Sequence, residues 1–535
     1  MEKTYVENEG DLFKETRAVL DQAAEAVERE HRMSLLDAVR LYPKAIMWSV
    51  LLSLALVMEG YDIVLLSSFY AFPSFLEKFG VEQADGTFVI SAAWQSGLSN
   101  GALVGEIGGL IIGGYAVERF GYRKTMLGSL VAISAFIFVQ FFASGIIVLQ
   151  VAYILVGFPW GVFQSITTSY AADVCPVALR CYLTTYVNLC WVLGQFIASG
   201  VLKGMLSWES KWSWRVPYAI QWFWPIPIFV SVSLAPESPW WLVRHNKIDE
   251  AKAAIRRLVS DPDFDVDMQV AMITQTNAME ARVSEGTSFI DCFKGTDLRR
   301  TEIVSVVYCV QSLCGCSLMG YSTYFYEQAG LATSMSFTMS LIQYAIGAVG
   351  TISSWFLLLR FGRRTLYLFG IGTALVLMLI IGIIGSVPQT TGTSWAIGSM
   401  LLVFTAIYDC TIGPLCYSIV AEIPSTRLRP KSIVVARTAY NIVNLVTNII
   451  TPYMLNPTAW NWKAKAGYFW AGYDILLFAW AFFKLPEPKG LAYNEIDILF
   501  EKGVSARRFQ SVHVQGFAAE DDLSDKATAE LAEHA

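Results

Sequence analysis

Long apolar segments, each long enough to cross a bilayer as a helix, dominate the sequence. Crossing the hydrocarbon core takes about 20 predominantly apolar residues. Such segments recur with short polar stretches between them, and they lie near 44–72, 93–117, 125–143, 146–170, 182–204, 214–235, 301–326, 334–358, 365–387, 394–420, 431–453 and 465–484. The pattern predicts an all-α membrane protein with 12 transmembrane helices in two sets of six.

Composition excludes several classes of function. Only 16% of the 535 residues are charged, against about 25% in an average soluble domain. The net charge of −6 argues against nucleic acid as a partner. No Ser–His pair or metal-ligand spacing is present, and the four histidines, His31, His245, His513 and His534, all lie outside the apolar segments. We therefore expect neither an enzyme nor a metal or cofactor site.

The polar stretches divide the chain into five parts. We predict an N-terminal segment at 1–43, a six-helix half at 44–236, a helical linker at 237–300, a second half at 301–485 and a C-terminal tail at 486–535. Lys and Arg accumulate on the cytosolic side of membrane proteins. Here they follow the even-numbered segments, as in "ERFGYRK" and "LRFGRR". Both termini are therefore expected in the cytosol.

Three motifs recur in the same order in the two halves. Arg119-Phe-Gly-Tyr-Arg123 recurs as Arg360-Phe-Gly-Arg-Arg364, an offset of 241 residues (360 − 119). The other two pairs begin at Asp173 and Glu422 and at Pro236 and Pro486, with offsets of 249 (422 − 173) and 250 (486 − 236) residues. Parallel repeats of this kind are typical of transporters that rock two halves around a central site.

These motifs resemble the sugar porter family of the major facilitator superfamily over nearly the whole chain. Shorter motifs, "SLLDAVRLYPKAIMWS", "MEGYD" and "GYSTYFYEQAG", are similar to the fungal α-glucoside (maltose) permeases. The resemblance implies proton-coupled uptake of an α-glucoside such as maltose across the plasma membrane by alternating access. A passive facilitator of hexoses or polyols and a non-transporting sugar sensor remain alternatives. The partners expected are a sugar, protons and the lipid bilayer, and we expect the protein to function as a monomer.

Charged residues of the repeated motifs are candidates for a cytosolic gate. Arginines and acids at the inner helix ends could pair when the transporter faces outward and separate when it opens inward, which suits individually modest ion pairs. The candidates are Arg119, Arg123, Asp173, Arg180, Glu237, Arg360, Arg364, Glu422, Arg429 and Glu487. The alternative is that the positive charges only set the orientation in the membrane.

Ionisable residues inside the apolar segments are candidates for proton coupling. An ionised acid at a helix centre costs roughly 2.5–3.5 kcal/mol on insertion scales. Glu59 and Asp62 lie three residues apart in the first segment and are expected on one helix face. Glu106 lies in the second segment and Arg437 in the eleventh. The acids identified in this way all belong to the first half.

The resemblance implies that these four residues carry the proton, with Asp62 the leading candidate for the essential acid. The alternative is that Glu106 and Arg437 pair only to hold the halves together. One position departs from the proton-coupled hexose porters, because Tyr153 stands where they have an arginine in the fourth helix. Coupling would therefore have to use the acidic cluster.

Sugar binding requires amides for the hydroxyl groups and aromatic faces for the ring. The resemblance implies the substrate ligands Gln195, Gln311, Ser312, Tyr321, Tyr417 and Asn444. Ser312 and Tyr417 replace the larger Gln and Trp of the family pattern, which favours a pocket for a disaccharide. Packing and interhelical hydrogen bonds are the alternative role for such residues.

Overall fold

The computed structural model describes residues 33, 35–84, 86–208, 210, 212–284, 287–425, 427–489, 491 and 493–511. Ten helical spans in this part of the chain are long and apolar enough to cross a membrane. Their helices are α1 (Pro43–Phe69), α2 (Ala92–Phe120), α3 (Tyr122–Phe141), α4 (Ile146–Val174), α5 (Val177–Met205), α8 (Thr333–Arg360), α9 (Arg363–Ile384), α10 (Thr391–Cys410 and Ile412–Glu422), α11 (Arg429–Leu455) and α12 (Ala466–Lys484).

Two further crossings, α6 and α7, are broken. The α6 crossing consists of Trp212–Ile220, a 3₁₀ turn at Gln221–Phe223 and Pro225–Leu234. Pro225 begins the second part, in agreement with the tolerance of the first helical turn for a residue without an N–H. The α7 crossing consists of Gly295–Leu313, Cys316–Gly320 and Ser322–Gln328, and Gly315 provides the break with a φ of 89°.

Each half packs its helices in the same way. In the first half α1 packs against α5, α2 against α4, and α3 against the second part of α6. The second half repeats this pattern, since α7 packs against α11, α8 against α10 and α9 against α12. The halves meet where α5 contacts α8 and where α2 contacts α11.

Shorter elements flank the membrane helices. On the side of the arginine-rich loops lie the helices Leu35–Leu41, Pro239–Arg244, Ile248–Leu258, Val266–Ser284 and Tyr493–Glu501, with 3₁₀ turns at Phe289–Phe293 and Ala506–Ser511. The opposite side, here called the outer side, carries the helix Pro73–Phe79, a 3₁₀ turn at Lys463–Lys465 and a small antiparallel hairpin. The hairpin pairs β1 (Val81–Glu82) with β2 (Phe88–Val89).

The two halves close against each other on the outer side. The Ser68 hydroxyl lies 3.0 Å from that of Thr323, and the Ser99 hydroxyl lies 2.8 Å from that of Tyr321. The rings of Tyr70 and Tyr321 stack with centroids 6.1 Å apart. These five residues are called the outer seal below.

Candidate substrate cavity and charged cluster

A cavity of about 330 Å³ lies between the halves, at the lower end of the range of about 300–1,000 Å³ for small-molecule sites. Residues from both halves line it. The lining includes all six residues predicted to bind sugar, namely Gln195, Gln311, Ser312, Tyr321, Tyr417 and Asn444. The structure therefore brings these side chains to one surface, which the sequence positions alone do not establish.

The polar groups of the second half are held by neighbouring helices. The Gln311 amide donates to the carbonyl of Gly413 at 3.0 Å, where α10 resumes after its break. The Ser312 hydroxyl donates to the Asn444 side-chain oxygen at 2.5 Å. Since Ser312 occupies that oxygen, the Asn444 amide nitrogen is the end that can donate to a ligand hydroxyl.

Aromatic side chains surround Arg437, and two of them, Tyr417 and Tyr440, line the cavity. The guanidinium lies 4.8 Å from the ring centre of Tyr440 and 5.9 Å from that of Tyr308. Tyr417 meets the Tyr308 ring edge-on at 6.2 Å. Cations over aromatic faces are stabilised by about 0.5–2 kcal/mol, so these rings favour a fixed position for Arg437.

Three of the four predicted coupling residues meet in the cavity through a glutamine. The Gln164 amide nitrogen donates to Glu59 Oε1 at 2.7 Å, and the Gln164 carbonyl accepts from Arg437 Nη2 at 2.6 Å. The same nitrogen of Arg437 lies 3.6 Å from Glu106 Oε1. Among ion pairs between described residues, Arg437–Glu106 is the one that joins the two halves. Glu59, Glu106, Arg437 and the bridging Gln164 are together called the charged cluster below.

Close packing of α2 against α4 positions the charged cluster. A Cβ on Gly161 would collide with the carbonyl oxygen of Glu106, and one on Gly157 would collide with that of Ala102. The two backbones can approach this closely only without side chains at those positions. Gln164 follows Gly161 by one helical turn, so the same contact brings it beside Glu106.

Asp62 occupies a different environment from Glu59, contrary to the expectation that both share one face. Asp62 is fully buried, does not line the cavity, and accepts hydrogen bonds from Gln140 at 3.2 Å and Gln221 at 2.9 Å. The third-residue spacing leaves the two side chains about 60° apart around the helix. That angle is enough to direct Glu59 into the cavity and Asp62 between α3 and α6.

Tyr153, which stands where hexose symporters carry an arginine, hydrogen-bonds to Tyr218 at 2.8 Å. Asp62 is therefore held by two neutral amides and not by a cation within the described residues. The amides Gln140 and Gln221 were missed by the sequence analysis, as was Gln164. A polar amide within an apolar segment was the available signal for all three.

Buried acids also occur in the second half, where the sequence analysis had identified none. Asp409 on α10 is 4% exposed and lines the cavity. Asp474 on α12 is fully buried, and neither carboxylate oxygen has a hydrogen-bond partner in the part of the chain that the structure describes. Both residues lie within apolar segments in which a single acid was overlooked.

The repeated loop motifs form a helix cap within each half. The Glu237 carboxylate accepts from the backbone N–H groups of Tyr122 at 2.9 Å and Arg123 at 3.2 Å, at the start of α3. Glu487 does the same for Arg363 at 2.8 Å and Arg364 at 3.0 Å, at the start of α9. Each acid satisfies two N–H groups that a helix start leaves unpaired.

Burial raises the pKa of the Glu237 carboxyl, while the backbone N–H groups of Ser238, Arg123 and Tyr122 oppose the rise.

The side chains of the repeated arginines reach the end of the last crossing in the same half. Arg123 donates to the Ser233 carbonyl at 2.5 Å, and Arg364 donates to the Phe482 carbonyl at 2.8 Å. The third helix of each half is thereby tied to the last.

The remaining acids of the predicted gate also have partners within their own half. Asp173 accepts from the Ser238 hydroxyl at 2.6 Å and lies 3.9 Å from Arg244, while Glu422 pairs with Arg363 at 3.1 Å. Arg119 and Arg360 are exposed, and Arg429 is half-buried at the start of α11. The side chain of Arg180 lies outside the described residues. Pairing of the predicted arginines with the predicted acids as a cytosolic gate stays a prediction for the outward-facing state.

The described residues contain no group of three or more His, Cys, Asp or Glu side chains arranged to hold a metal ion. The lining thus offers amides, hydroxyls, aromatic rings and a charged cluster. A family model described as "Sugar (and other) transporter" matches residues 48–500. The chain belongs to the sugar transporter family.

Curated relatives narrow the family. A general alpha-glucoside permease of Saccharomyces cerevisiae is 42% identical over 518 residues, which cover 95% of this chain and 84% of the relative. A maltose permease of the same yeast is 42% identical over 508 residues, covering 94% of this chain and 83% of the relative. This sugar transporter is therefore a multi-pass membrane protein and not an enzyme.

Solved structures define the fold of this sugar transporter. The proton:xylose symporter XylE of the major facilitator superfamily, bound to 6-bromo-6-deoxy-D-glucose, superposes with a TM-score of 0.69 at 19% identity, covering 86% of this chain and 99% of XylE. A partially occluded inward-open form of XylE from E. coli gives a TM-score of 0.67. The chain has the fold of that superfamily, with 12 transmembrane helices in two six-helix halves.

Proposed function

We propose that this sugar transporter is a proton-coupled permease for an α-glucoside such as maltose. The observation that carries the proposal is the charged cluster, in which Glu59 and Glu106 of the first half meet Arg437 of the second inside the cavity. A change in the protonation of Glu106 acts directly on its contact with Arg437 between the halves, and Glu59 is joined to the same arginine through Gln164. Alternating access requires that the halves move relative to each other.

The charge of the cluster provides the physical reason for coupling. With both acids ionised, Glu59, Glu106 and Arg437 together carry a net charge of −1, and one added proton makes the cluster neutral. A neutral cluster is less costly than a charged one in a closed, dehydrated cavity. The proton-loaded form therefore favours the occluded state through which sugar must pass.

The lining supports an α-glucoside as the substrate. The amides of Gln195, Gln311 and Asn444 and the hydroxyl of Ser312 offer donors and acceptors for sugar hydroxyl groups, and Tyr321 and Tyr417 offer apolar faces. The two yeast relatives, an alpha-glucoside permease and a maltose permease, agree with this substrate class.

The cellular arrangement belongs to the same proposal. The protein acts as a monomer in the plasma membrane with both termini in the cytosol. Its functional parts are the segments 1–43, 44–236, 237–300, 301–485 and 486–535. The arginine-rich loops then face the cytosol, where their charges form the inner gate of the outward-facing state.

Uptake assays test the proposal. The chain is expressed in a yeast lacking its own α-glucoside transporters, and labelled maltose uptake is followed at pH 5 with and without a proton uncoupler. We expect accumulation above the external concentration, alkalinisation of the medium on addition of maltose, and loss of both with the uncoupler. Uptake that is unaffected by the uncoupler would identify a passive facilitator. Surface-expressed protein that moves none of a panel of α-glucosides, hexoses and polyols would contradict the transport proposal itself.

Glu106→Gln tests the assignment within the same assay. The variant keeps the size of the side chain and removes the charge facing Arg437. We expect accumulation to be abolished while the protein still reaches the cell surface. Accumulation at the level of the unmodified protein would remove Glu106 from the mechanism.

A further inference from the structure

We infer that Gln164 is the positioning residue that transmits the protonation of Glu59 to Arg437 in the other half. The inference rests on the proposed proton coupling and assigns a role to a residue that is not one of the four predicted coupling residues. Gln164 on α4 contacts Glu59 on α1 through its nitrogen, and its oxygen accepts a hydrogen bond from Arg437 on α11. Its amide thus spans the gap between the two halves.

The chemistry of the partners fixes the direction of this amide. A guanidinium has only donors, so the carbonyl oxygen of Gln164 must face Arg437. The NH₂ group must then face Glu59, which has to act as an acceptor. The strength of the hydrogen bond from the Gln164 NH₂ group therefore depends on whether Glu59 is an ionised carboxylate or a neutral acid, which is the weaker acceptor.

Protonation of Glu59 weakens the bridge at a defined atom. Glu59 Oε2 is buried without a hydrogen-bond partner among the described residues, whereas Oε1 accepts from Gln164. A proton that binds Oε2 leaves Oε1 as a neutral carbonyl oxygen. A hydrogen bond to an ionised acceptor is roughly twice as strong as one between neutral groups, so the proton loosens Gln164 without breaking any covalent bond.

When the hydrogen bond between Gln164 and Glu59 weakens, Glu106 becomes the main acid that neutralises the charge of Arg437. While Glu59 is ionised, it polarises the Gln164 amide and so strengthens the hydrogen bond that Arg437 donates to this amide, since hydrogen bonds in a chain strengthen one another. Once Glu59 is neutral, the direct contact of 3.6 Å between Arg437 and Glu106 is the remaining charge pair. Proton binding on α1 therefore strengthens the contact between α2 and α11.

The bridge is surrounded by few other titratable groups. Those facing Glu59 and Arg437 are Glu106 on α2, Tyr308 on α7, Cys416 and Tyr417 on α10, and Tyr440 on α11. The two glutamates of the charged cluster are therefore the acids through which pH acts on Gln164.

Gln164→Leu tests the bridge, because leucine approximates the size of the side chain and removes both hydrogen bonds. Sugar accumulation, maltose-induced proton uptake and the pH dependence of KM are measured in yeast vesicles with an imposed proton gradient. We expect the accumulation ratio to fall toward 1, and KM to lose most of its dependence on external pH. A purely structural role would lower the maximal rate alike at every pH and leave the pH profile of KM unchanged.

Thr168→Val is the matched control on the same helix. Among the described residues, the Thr168 hydroxyl bonds only to backbone oxygens of its own helix, Gln164 O at 2.9 Å and Ser165 O at 3.3 Å. This variant is expected to keep the pH profile and the accumulation ratio of the unmodified protein. If the unmodified protein itself shows no maltose-induced proton uptake, the proposed function fails, whatever Gln164 does.

Gln164→Glu provides a second, independent readout, including the case in which the leucine variant does not fold. A carboxylate at this position pairs directly with Arg437 and faces Glu59, which must then retain a proton to avoid two adjacent charges. We expect the pH dependence of uptake to shift toward higher pH. The inference would be overturned if the unmodified protein is proton-coupled and both variants keep its pH profile and its accumulation ratio.

Discussion

Arg437 carries the positive charge that offsets the acids in the cavity. Its guanidinium contacts Gln164 and Glu106 and lies over the rings of Tyr308 and Tyr440. A planar group with several donors can serve all these partners at once, which a lysine cannot do. The arginine is therefore both a contact between the halves and the counter-charge of the acids.

Arg437→Gln should destabilise the protein, because it leaves Glu106, whose side chain is only 12% exposed, without its cation. Breaking a buried pair by removing one partner costs about 3–5 kcal/mol. The double variant Glu106→Gln/Arg437→Gln should recover part of the loss, since neither charge is then left alone. Thermal unfolding of the purified proteins in detergent measures both effects. A double variant less stable than Arg437→Gln would show that the two residues do not compensate each other.

Asp62→Asn should separate rate from affinity. Asp62 lies outside the cavity and accepts from two glutamine amides, so the substituted amide would direct an N–H group against another N–H donor. We expect the maximal rate of uptake to fall by about tenfold or more, corresponding to about 1.4 kcal/mol, while KM for sugar changes little. Initial rates over a range of maltose concentrations check this. A large rise in KM at an unchanged maximal rate would place Asp62 in sugar binding.

At the scale of helices, the repeated acids after α6 and α12 act as caps for α3 and α9. Glu487→Gln keeps one acceptor and turns an NH₂ group toward a backbone N–H of Arg363 or Arg364. The loss should be about 1–3 kcal/mol in the free energy of unfolding. Glu237→Gln should have a similar effect on α3, and the two losses should add, because the caps share no partner.

Unfolding of the two single variants and of the double variant tests the caps. Glu250→Gln serves as a control, since Glu250 is an exposed acid that pairs, among the described residues, only with Lys247 just before the same helix. An exposed pair of this kind contributes about 0–1 kcal/mol. Cap variants no less stable than this control would contradict the capping role.

Hydropathy was sufficient to predict the helices, but their faces required the structure. Twelve crossings could be predicted because apolar length is a local property. The breaks in α6 and α7 were not predicted, since Gly315 differs from other membrane glycines only in its φ of 89°. The environments of Glu59 and Asp62 could not be separated either, because the difference depends on where α3, α4 and α6 pack. The same holds for Gln164, whose role depends on a partner 273 residues away.

At the scale of the whole molecule, the outer seal must open for sugar to enter. Ser68→Cys/Thr323→Cys should lock it, since the two hydroxyl oxygens lie 3.0 Å apart. The cysteine sulfur atoms would lie near these oxygen positions, so a movement of about 1 Å brings them to the S–S bond length of about 2.05 Å. We expect oxidation to abolish uptake by the double variant and a reductant to restore it.

The single variants, given the same oxidant, serve as controls because the chain has other cysteines. Formation of the bond is followed by protease cleavage and gel mobility. Full uptake by protein shown to be crosslinked would mean that sugar reaches the cavity by another route.

The composition of the outer seal determines how the closed state responds to the medium. Its contacts are hydroxyl pairs and stacked rings between Ser68, Ser99, Thr323, Tyr70 and Tyr321, and none is an ion pair. Dissolved ions screen attractions between charges but leave contacts between neutral groups almost unchanged. Closure of the outer seal should therefore be equally firm in dilute and in concentrated salt solutions, and changes in ionic strength on that side of the membrane should not alter it.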